Sequence, residues 1–236
     1  IDTFFKKIDS LNCKIIRDQN SPLLNNKLTV YNVLNEYPDF KSIVPNYARC
    51  HNIKSVEEFY DPAQGNKLVL KPEIGNGAEG IQIKEFPFNF DFNWHYCFLM
   101  NYLPNEEISL DCLQIEDEFL CIPRKKNKIN RVQYVLYKDE YYEELKNYCK
   151  KIQEKFNLQM PFNVQFKLDD TSSYYLLEIN PRLSAGSSMC HLLGVNFPWL
   201  ILKKLFNIPI FKTELDWTEN TCVSYYEKPI LIEKGD

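Results

Sequence analysis

The side chains best suited to chemistry stand close together in residues 177–182 (LEINPR), directly after an apolar run. Residues 174–177 predict a strand, and alternation along it places Glu178 and Asn180 on one face. A carboxylate beside an amide oxygen suits a hard cation such as Mg²⁺, which keeps much of its coordination sphere for phosphate oxygens. Arg182 follows and offers a planar guanidinium to a phosphoryl group. The run predicts a metal-nucleotide site, but alone it fits an ordinary strand and loop equally well.

A second segment, about a hundred residues upstream, combines a lysine with glycines. Lys71 ends a short apolar strand, and a loop with Gly75, Gly77 and Gly80 returns into a second strand at residues 81–83. In such a loop, backbone N–H groups can approach phosphate oxygens without interference from Cβ atoms. The spacing excludes a P-loop, and the second strand argues against a dinucleotide-binding fingerprint, which a helix would follow. By itself the segment also fits a tight hairpin.

In this order along the chain, the two segments resemble the ATP-grasp superfamily, in particular its carbamoyl-phosphate-synthase-like branch. The resemblance extends from about residue 26 to about residue 227. It also rests on shorter pieces that are weak singly and specific in their common order. These are Asn26-Lys27 at the start of an apolar helix, Val44-Pro45, residues 98–104, residues 107–111, residues 163–165 and Gly194-Val195-Asn196.

The resemblance implies an ATP site with two groups of residues. The group that binds the phosphates and covers them is Lys27, Lys71, Gly75, Gly77 and Gly80. The group that binds the nucleoside is Met100, Asn101, Tyr102 and Leu103, a hinge whose backbone reads the adenine edge, together with Glu107, which takes the ribose hydroxyls.

The resemblance also implies a metal site and catalytic residues. Gln165, Glu178 and Asn180 would hold Mg²⁺, with Mn²⁺ as an alternative, and Arg182 and Lys71 would stabilise charge on the transferring phosphoryl group. An antiparallel pair formed by strands 162–168 and 174–179 would set the three metal ligands on one face. Phosphoryl transfer needs positioning and charge neutralisation more than covalent chemistry, and these residue types supply both.

The chain departs from the pattern of the superfamily at several positions. Asn101 stands where an acidic residue usually accepts from the adenine amino group, and Asn105 stands where glycine is frequent. Met160 replaces another common glycine. Gln165 is the form found in the carbamoyl-phosphate-synthase branch, and its neutral amide lowers the charge of the metal site by one. Metal binding would therefore depend more strongly on ATP itself.

The fold implied by the resemblance is α+β, an ATP-grasp fold in which two lobes with mainly antiparallel sheets grip the nucleotide. Residues 1–25 would be the remnant of an N-terminal domain, residues 26–95 the small lobe with the glycine loop, and residues 96–236 the large lobe. The implied activity is an ATP-dependent carboxylate–amine ligase that forms an acyl phosphate. The alternative is an ATP-binding module, or a partial enzyme that needs a missing lobe or partner.

Composition and net charge restrict the cellular compartment and the binding partners that the sequence predicts. A net charge of −4 argues against general affinity for nucleic acids. The basic cluster at residues 124–131 fits a solvated hairpin tip, or else Arg124 and Arg131 face the substrate cleft. No apolar run reaches the ~18 residues of a membrane span. Eight cysteines without a Cys-x-x-Cys pair predict reduced thiols in a cytoplasmic protein. The expected partners are small-molecule carboxylates and amines, and either a second copy in a homodimer or a separate N-terminal lobe.

Capping patterns and hydrophobic periodicity predict the helices and strands that carry these residues. A capping-box pattern at residues 55–58 predicts the start of a short helix before the Lys71 hairpin. A later helix at residues 139–156 has apolar residues spaced by three and four. The remaining strands are expected at residues 96–101, 107–113, 118–123, 131–137, 162–168 and 174–179.

Overall fold

The computed structural model describes residues 18–49, 53–75, 79–88, 96–126, 132–135, 141–219 and 221–224. Gly77 and Arg131 lie outside these ranges, as do most of the residues 1–25 that the sequence assigns to an N-terminal remnant. Two antiparallel sheets and a set of helices make up the described chain. Among the described residues, every helix is too short or too polar to cross a lipid bilayer.

The smaller sheet has four strands in the order β1-β4-β2-β3, and all its pairs are antiparallel. The strands are β1 (Tyr47–Ala48), β2 (Lys67–Pro72), β3 (Gln82–Glu85) and β4 (Cys97–Asn101). Alternation along β2 buries Leu68 and Leu70 on one face, where they pack with Leu99. Lys71 lies on the other face, so the same pleat that builds the core directs its side chain out of this cluster.

The larger sheet has six strands in the order β10-β7-β6-β5-β8-β9, again with antiparallel pairs. The strands are β5 (Glu107–Ile115), β6 (Glu118–Lys126), β7 (Val132–Val135), β8 (Phe162–Leu168), β9 (Tyr174–Asn180) and β10 (Cys222–Ser224). Each strand predicted in this region is present, with boundaries that differ by a few residues. The pairing of β8 with β9 confirms the predicted antiparallel arrangement.

Six α-helices lie in the described residues. They are α1 (Ser21–Leu24), α2 (Lys27–Asn35), α3 (Ile53–Phe59), α4 (Tyr142–Phe156), α5 (Ser187–Leu192) and α6 (Phe197–Leu205). The predicted apolar stripe of α4 is buried, and the helix ends where Asn157 adopts the left-handed conformation, with φ of 49°. Helix α3 already includes Ile53, so the prediction that a capping box at Ser55 starts it was wrong.

Helix α2 joins the two sheets. Its N-cap is Asn26, whose side chain accepts a hydrogen bond of 2.8 Å from the backbone N–H of Thr29. The fully buried Tyr31 directs its hydroxyl at the carbonyl oxygens of Leu176 and Leu177 in β9, at 2.9 and 2.8 Å. The first residue of α2, Lys27, is therefore held at a fixed place beside the end of β9.

Strand β4 packs against both sheets. Strand β4, which follows residue 95, pairs in the smaller sheet, and its Phe98 and Met100 share a hydrophobic cluster with Ile108 and Leu110 of the larger sheet. The strand that links the lobes in sequence therefore also links them by packing. The division into lobes at residues 26–95 and 96–236 stays a proposal.

Candidate active site

The β8–β9 ladder brings the predicted metal ligands together. Gln165 lies opposite Glu178, and Asn163 lies opposite Asn180. Residues directly opposite each other in an antiparallel pair project from the same face of the sheet. The three predicted ligands therefore share one face, and Asn163 joins them as a fourth polar side chain.

Two neighbours occupy the oxygens of the Glu178 carboxylate. The side-chain amide of Asn180 donates a hydrogen bond of 2.9 Å to one oxygen. The ammonium nitrogen of Lys27 lies 3.5 Å from the other, and the Glu178 side chain keeps 21 % exposure. A cation that entered this site would compete with Lys27 for the carboxylate.

Lys71 reaches across from the smaller sheet. Its ammonium donates a hydrogen bond of 2.7 Å to the carbonyl oxygen of Leu177, and the residue is only 4 % exposed. Burial, assisted by the nearby charge of Lys27 and opposed by Glu178, lowers the pKa of Lys71 to about 8. A bound polyanion would favour the charged form and reverse this shift.

The glycine loop begins against the start of α2. The Lys27 ammonium donates a hydrogen bond of 2.8 Å to the carbonyl oxygen of Gly75. The Lys27 backbone N–H donates one of the same length to the carbonyl oxygen of Glu73, whose carboxylate also accepts from Asn26 at 3.0 Å. Both predicted phosphate-binding lysines are therefore within one group of contacts, and the loop starts beside them.

Of the two predicted cover glycines that the structure describes, Gly80 has a conformational reason to be glycine and Gly75 does not. Gly80 has φ of 75°, and a Cβ there would lie 2.9 Å from the Pro72 ring. A Cβ at Gly75 would meet only ordinary contacts at 3.7 Å or more. Gly77 lies outside the described residues.

A cavity of about 430 Å³ lies between the sheets. Predicted site residues line it from both: Lys71, Glu107, Gln165, Glu178, Asn180 and Arg182. A narrow pocket of about 20 Å³ shares Lys71 and Glu178 with it and adds Lys27 and Gly75. The lysine–glycine segment and residues 177–182 therefore face one space.

The hinge residues lie apart from this cavity. Met100 is buried in β4, whereas Asn101, Tyr102 and Leu103 line a different cavity of about 530 Å³. The Tyr102 ring has the ammonium groups of Lys67 and Lys167 each 5.7 Å from its centre. Lys167 in turn lies opposite Glu107 in the β5–β8 ladder, which places the hinge near the predicted ribose-binding residue.

Arg124 was predicted to face the cleft only as one of two alternatives, and no role in the site was assigned to it. It is 5 % exposed, lines the cavity beside Arg182, and donates a hydrogen bond of 2.7 Å from Nε to Asp111. The interpretation of its basic cluster as a solvated tip was wrong for this residue, and the cleft-facing alternative holds. Its guanidinium also donates to the Ser184 hydroxyl at 2.8 Å, and a Cβ at Gly186 would lie 1.8 Å from it. The ion pair of Arg124 with Asp111 thus holds in place the loop that follows Asn180 and Arg182.

Asn163 belongs to the same network. Its amide nitrogen donates to the hydroxyl of Ser109 at 2.8 Å and to the carboxylate of Asp111 at 2.9 Å. Since the nitrogen is fixed by these acceptors, the amide oxygen is directed elsewhere, and the Gln165 amide lies 3.5 Å from it. The i,i+2 spacing of polar residues within two apolar strands, 109 with 111 and 163 with 165, was the signal available in the sequence.

The fold is similar to those of solved synthetases and a solved ligase. The carboxyaminoimidazole ribonucleotide synthase from Aspergillus clavatus, complexed with ATP, matches with a TM-score of 0.71 and 14 % identity over 92 % of this chain and 61 % of that one. The N5-carboxyaminoimidazole ribonucleotide synthetase from Thermotoga maritima matches with 0.67 and 16 % over 90 % and 57 %. The L-amino acid ligase from Bacillus licheniformis matches with 0.67 and 15 % over 90 % and 56 %. The chain spans less than two thirds of each.

A family profile settles the relationship at the level of sequence. No curated protein sequence matches the chain. The profile described as "ATP-grasp in the biosynthetic pathway with Ter operon" matches residues 94–229, more than half of the 236 residues. The match contains the predicted hinge, the two strands that carry the predicted metal ligands, and Arg182. Together with the two antiparallel sheets, it confirms the predicted fold class, and the chain belongs to the ATP-grasp family.

Proposed function

We propose that this chain is the ATP-grasp part of a ligase that uses Mg-ATP to activate a carboxylate as an acyl phosphate, which an amine (or a thiol) then attacks. The observation that carries this proposal is the convergence of Lys71, Lys27 and Glu178 on one space between two sheets. Cationic groups on one side and oxygen ligands on the other are what a metal-bound triphosphate requires.

The donor set fits Mg²⁺. Gln165, Glu178 and Asn180 offer two amide oxygens and one carboxylate, all hard ligands and with a single negative charge between them. The Asn180 amide now directs its nitrogen at Glu178, and a rotation about its terminal torsion would present its oxygen instead. Bound Mg²⁺ supplies neutralisation of the charge that spreads over the phosphate oxygens. Mn²⁺ has the same ligand preference and is proposed as a substitute.

The remaining residues position the phosphate groups of ATP and neutralise their negative charge. Lys71 and Lys27 bind phosphate oxygens, and Lys27 exchanges its contact with Glu178 for one with the triphosphate. Arg182 is exposed at the cavity, and its backbone N–H donates to the Asn180 carbonyl oxygen at 2.8 Å. Its backbone is therefore held close to the metal ligands, and its side chain, which lines the cavity, stabilises charge on the transferring group.

The reaction needs no nucleophilic side chain. A carboxylate oxygen of the substrate attacks the γ-phosphorus, the bond to ADP breaks, and an acyl phosphate forms. The amine then attacks the acyl carbon, and inorganic phosphate leaves with the bonding electron pair. The glycine loop with Gly75, Gly77 and Gly80 excludes water that would hydrolyse the intermediate.

The adenine and ribose contacts complete the proposal. The backbone of Met100, Asn101, Tyr102 and Leu103 binds the adenine edge, and Glu107 binds the ribose hydroxyls. The Leu103 N–H takes part in no backbone hydrogen bond within the described residues, which leaves a donor of the kind this role needs. Small-molecule carboxylates and amines are the proposed substrates, in the cytoplasm, and either a second copy or a separate N-terminal lobe completes the substrate side.

Release of ADP tests the proposal. The chain would be incubated with Mg-ATP and a panel of amino acids and other carboxylates, each labelled with ¹⁸O in the carboxyl group. Ligation through an acyl phosphate transfers one labelled oxygen into inorganic phosphate. Unlabelled phosphate with every active carboxylate would contradict the acyl phosphate route. Tight binding of ATP without ADP release would indicate a binding module.

A further inference from the structure

Three cysteines meet in the core on the side of the larger sheet away from the cavity. Cys112 of β5 lies directly opposite Cys121 of β6, with their sulfur atoms 3.7 Å apart. Cys149 of α4 completes the group, and all three sulfurs lie within 4.8 Å of one another. Alternation along β5 puts Cys112 on the opposite face from Asp111, so these thiols have no part in the proposed ligase chemistry.

The separation of the sulfurs suits a common ligand. Single buried cysteines are explained as small apolar side chains, and the three residues do belong to the hydrophobic core. Three sulfurs each ~2.3 Å from one ion lie about 3.4 Å apart when the ion is pyramidal and about 4.0 Å apart when it is planar. The Cys112–Cys121 separation of 3.7 Å falls in that range, and the Cys149 sulfur lies within 4.8 Å of both. We infer that Cys112, Cys121 and Cys149 form a three-sulfur site for a thiophilic ion that requires only three ligands.

The number of ligands and the net charge of the complex restrict which ions the cluster can bind. Within the described residues, no histidine, carboxylate or further cysteine belongs to the cluster, so a tetrahedral Zn²⁺ site would lack its fourth ligand. Three thiolates leave Cu⁺ with a net charge of about −2, and burying charge in an apolar core is costly. A trivalent ion with three thiolates is neutral. The favoured ligand is therefore trivalent arsenic or antimony, and arsenite is the probe.

The binding reaction balances without an oxidant or a base. One molecule of arsenous acid reacts with three thiols, three arsenic–sulfur bonds form, and three molecules of water leave. No proton is released when all three cysteines react as thiols, whereas Cu⁺ must displace thiol protons.

The cluster is closed to solvent. Cys112, Cys121 and Cys149 are buried, with exposures of 0 to 2 %, so entry of an ion requires local opening of α4 over β5 and β6, and binding should be slow.

Arsenic binding to the folded chain tests the site. Wild type is incubated with arsenite for days, unbound arsenite is removed, and arsenic per chain is counted by intact mass. X-ray absorption then counts the sulfur neighbours of arsenic. The variants are Cys149→Val and Cys121→Val, which replace a thiol with an apolar group of similar size, and the matched control is Cys97→Val, a half-buried thiol in the smaller sheet.

We expect one tightly bound arsenic with three sulfur neighbours in wild type and Cys97→Val, and at least tenfold weaker binding in either cluster variant. Two sulfur neighbours in wild type, equal binding in the cluster variants, or binding only to the unfolded chain would overturn the inference. Tighter binding of Cu⁺ than of arsenite would overturn the assignment of a trivalent ion. If one cluster variant fails to fold, the other supplies the comparison.

Discussion

Lys71 donates a hydrogen bond of 2.7 Å to the carbonyl oxygen of Leu177, across 106 residues of sequence. Lys71 ends the strand before the glycine loop, and Leu177 directly precedes Glu178. The contact therefore joins the phosphate-binding side of the proposed site to its metal-binding side. A buried lysine placed in this way has a pKa that responds to whatever enters the cavity.

ATP binding should take up a proton near pH 8.5. Burial lowers the pKa of free Lys71 to about 8, so above that pH most of the free protein carries a neutral amine there. A triphosphate favours the ammonium form and raises the pKa, and the protein binds the missing proton together with ATP. Calorimetry in two buffers with different ionisation enthalpies should therefore detect more than half a proton per ATP at pH 8.5.

The affinity for ATP should follow the same linkage. Below about pH 8 the affinity for ATP is constant, because Lys71 is already charged. Above that pH the affinity falls by up to tenfold per pH unit. Lys71→Arg keeps its charge at every accessible pH and should abolish both the proton uptake and the fall. Equal proton uptake by wild type and Lys71→Arg would show that another group is responsible.

Gly80→Ala should weaken ATP binding several-fold. The added Cβ would stand in a left-handed conformation, which costs about 1–2 kcal/mol, and 2.9 Å from the Pro72 ring, so the end of the loop must shift. Gly194→Ala is the matched control, because Gly194 also has a left-handed φ, of 110°, and lines neither of the two large cavities. Titration with ATP separates the two variants. Comparable affinities would mean that the position of the loop does not matter for the nucleotide.

Part of the site was predictable because it depends on local periodicity. Alternation placed Glu178 and Asn180 on one face, and an antiparallel hairpin at residues 162–179 followed from two apolar runs around a polar turn. The buried apolar stripe of α4 was predictable for the same reason, since the spacing of its residues by three and four defines one helical face. Such patterns indicate which face is buried without any knowledge of neighbouring strands.

The other residues of the site could not be predicted, because their positions depend on which strands are neighbours in the sheet. Arg124 and Asp111 pair because β5 and β6 are neighbours, and Asn163 joins them because β8 is the other neighbour of β5. Nothing in the basic run at residues 124–131 distinguishes its first residue as buried. The start of α3 was missed for another reason, since a capping-box pattern is weak when apolar residues such as Ile53 precede it.

Asp111→Ala should destabilise the fold by about 3–5 kcal/mol, because it leaves the guanidinium of Arg124 buried without its counter-charge. The free energy of unfolding in urea measures this. Glu58→Ala, which removes an exposed helical ion pair with Lys54, should stay within experimental error of wild type. An equal effect of the two substitutions would show that the buried pair does not stabilise this sheet.

Binding of ATP with and without Mg²⁺, compared between wild type and Glu178→Gln, tests the account most directly. Wild type should gain at least tenfold in affinity from Mg²⁺. Glu178→Gln should lose that gain and bind metal-free ATP as well as wild type or better, because Lys27 no longer has a carboxylate 3.5 Å away. Glu144→Gln, on the exposed face of α4, should behave as wild type does. Full dependence on Mg²⁺ in Glu178→Gln would contradict the proposed site.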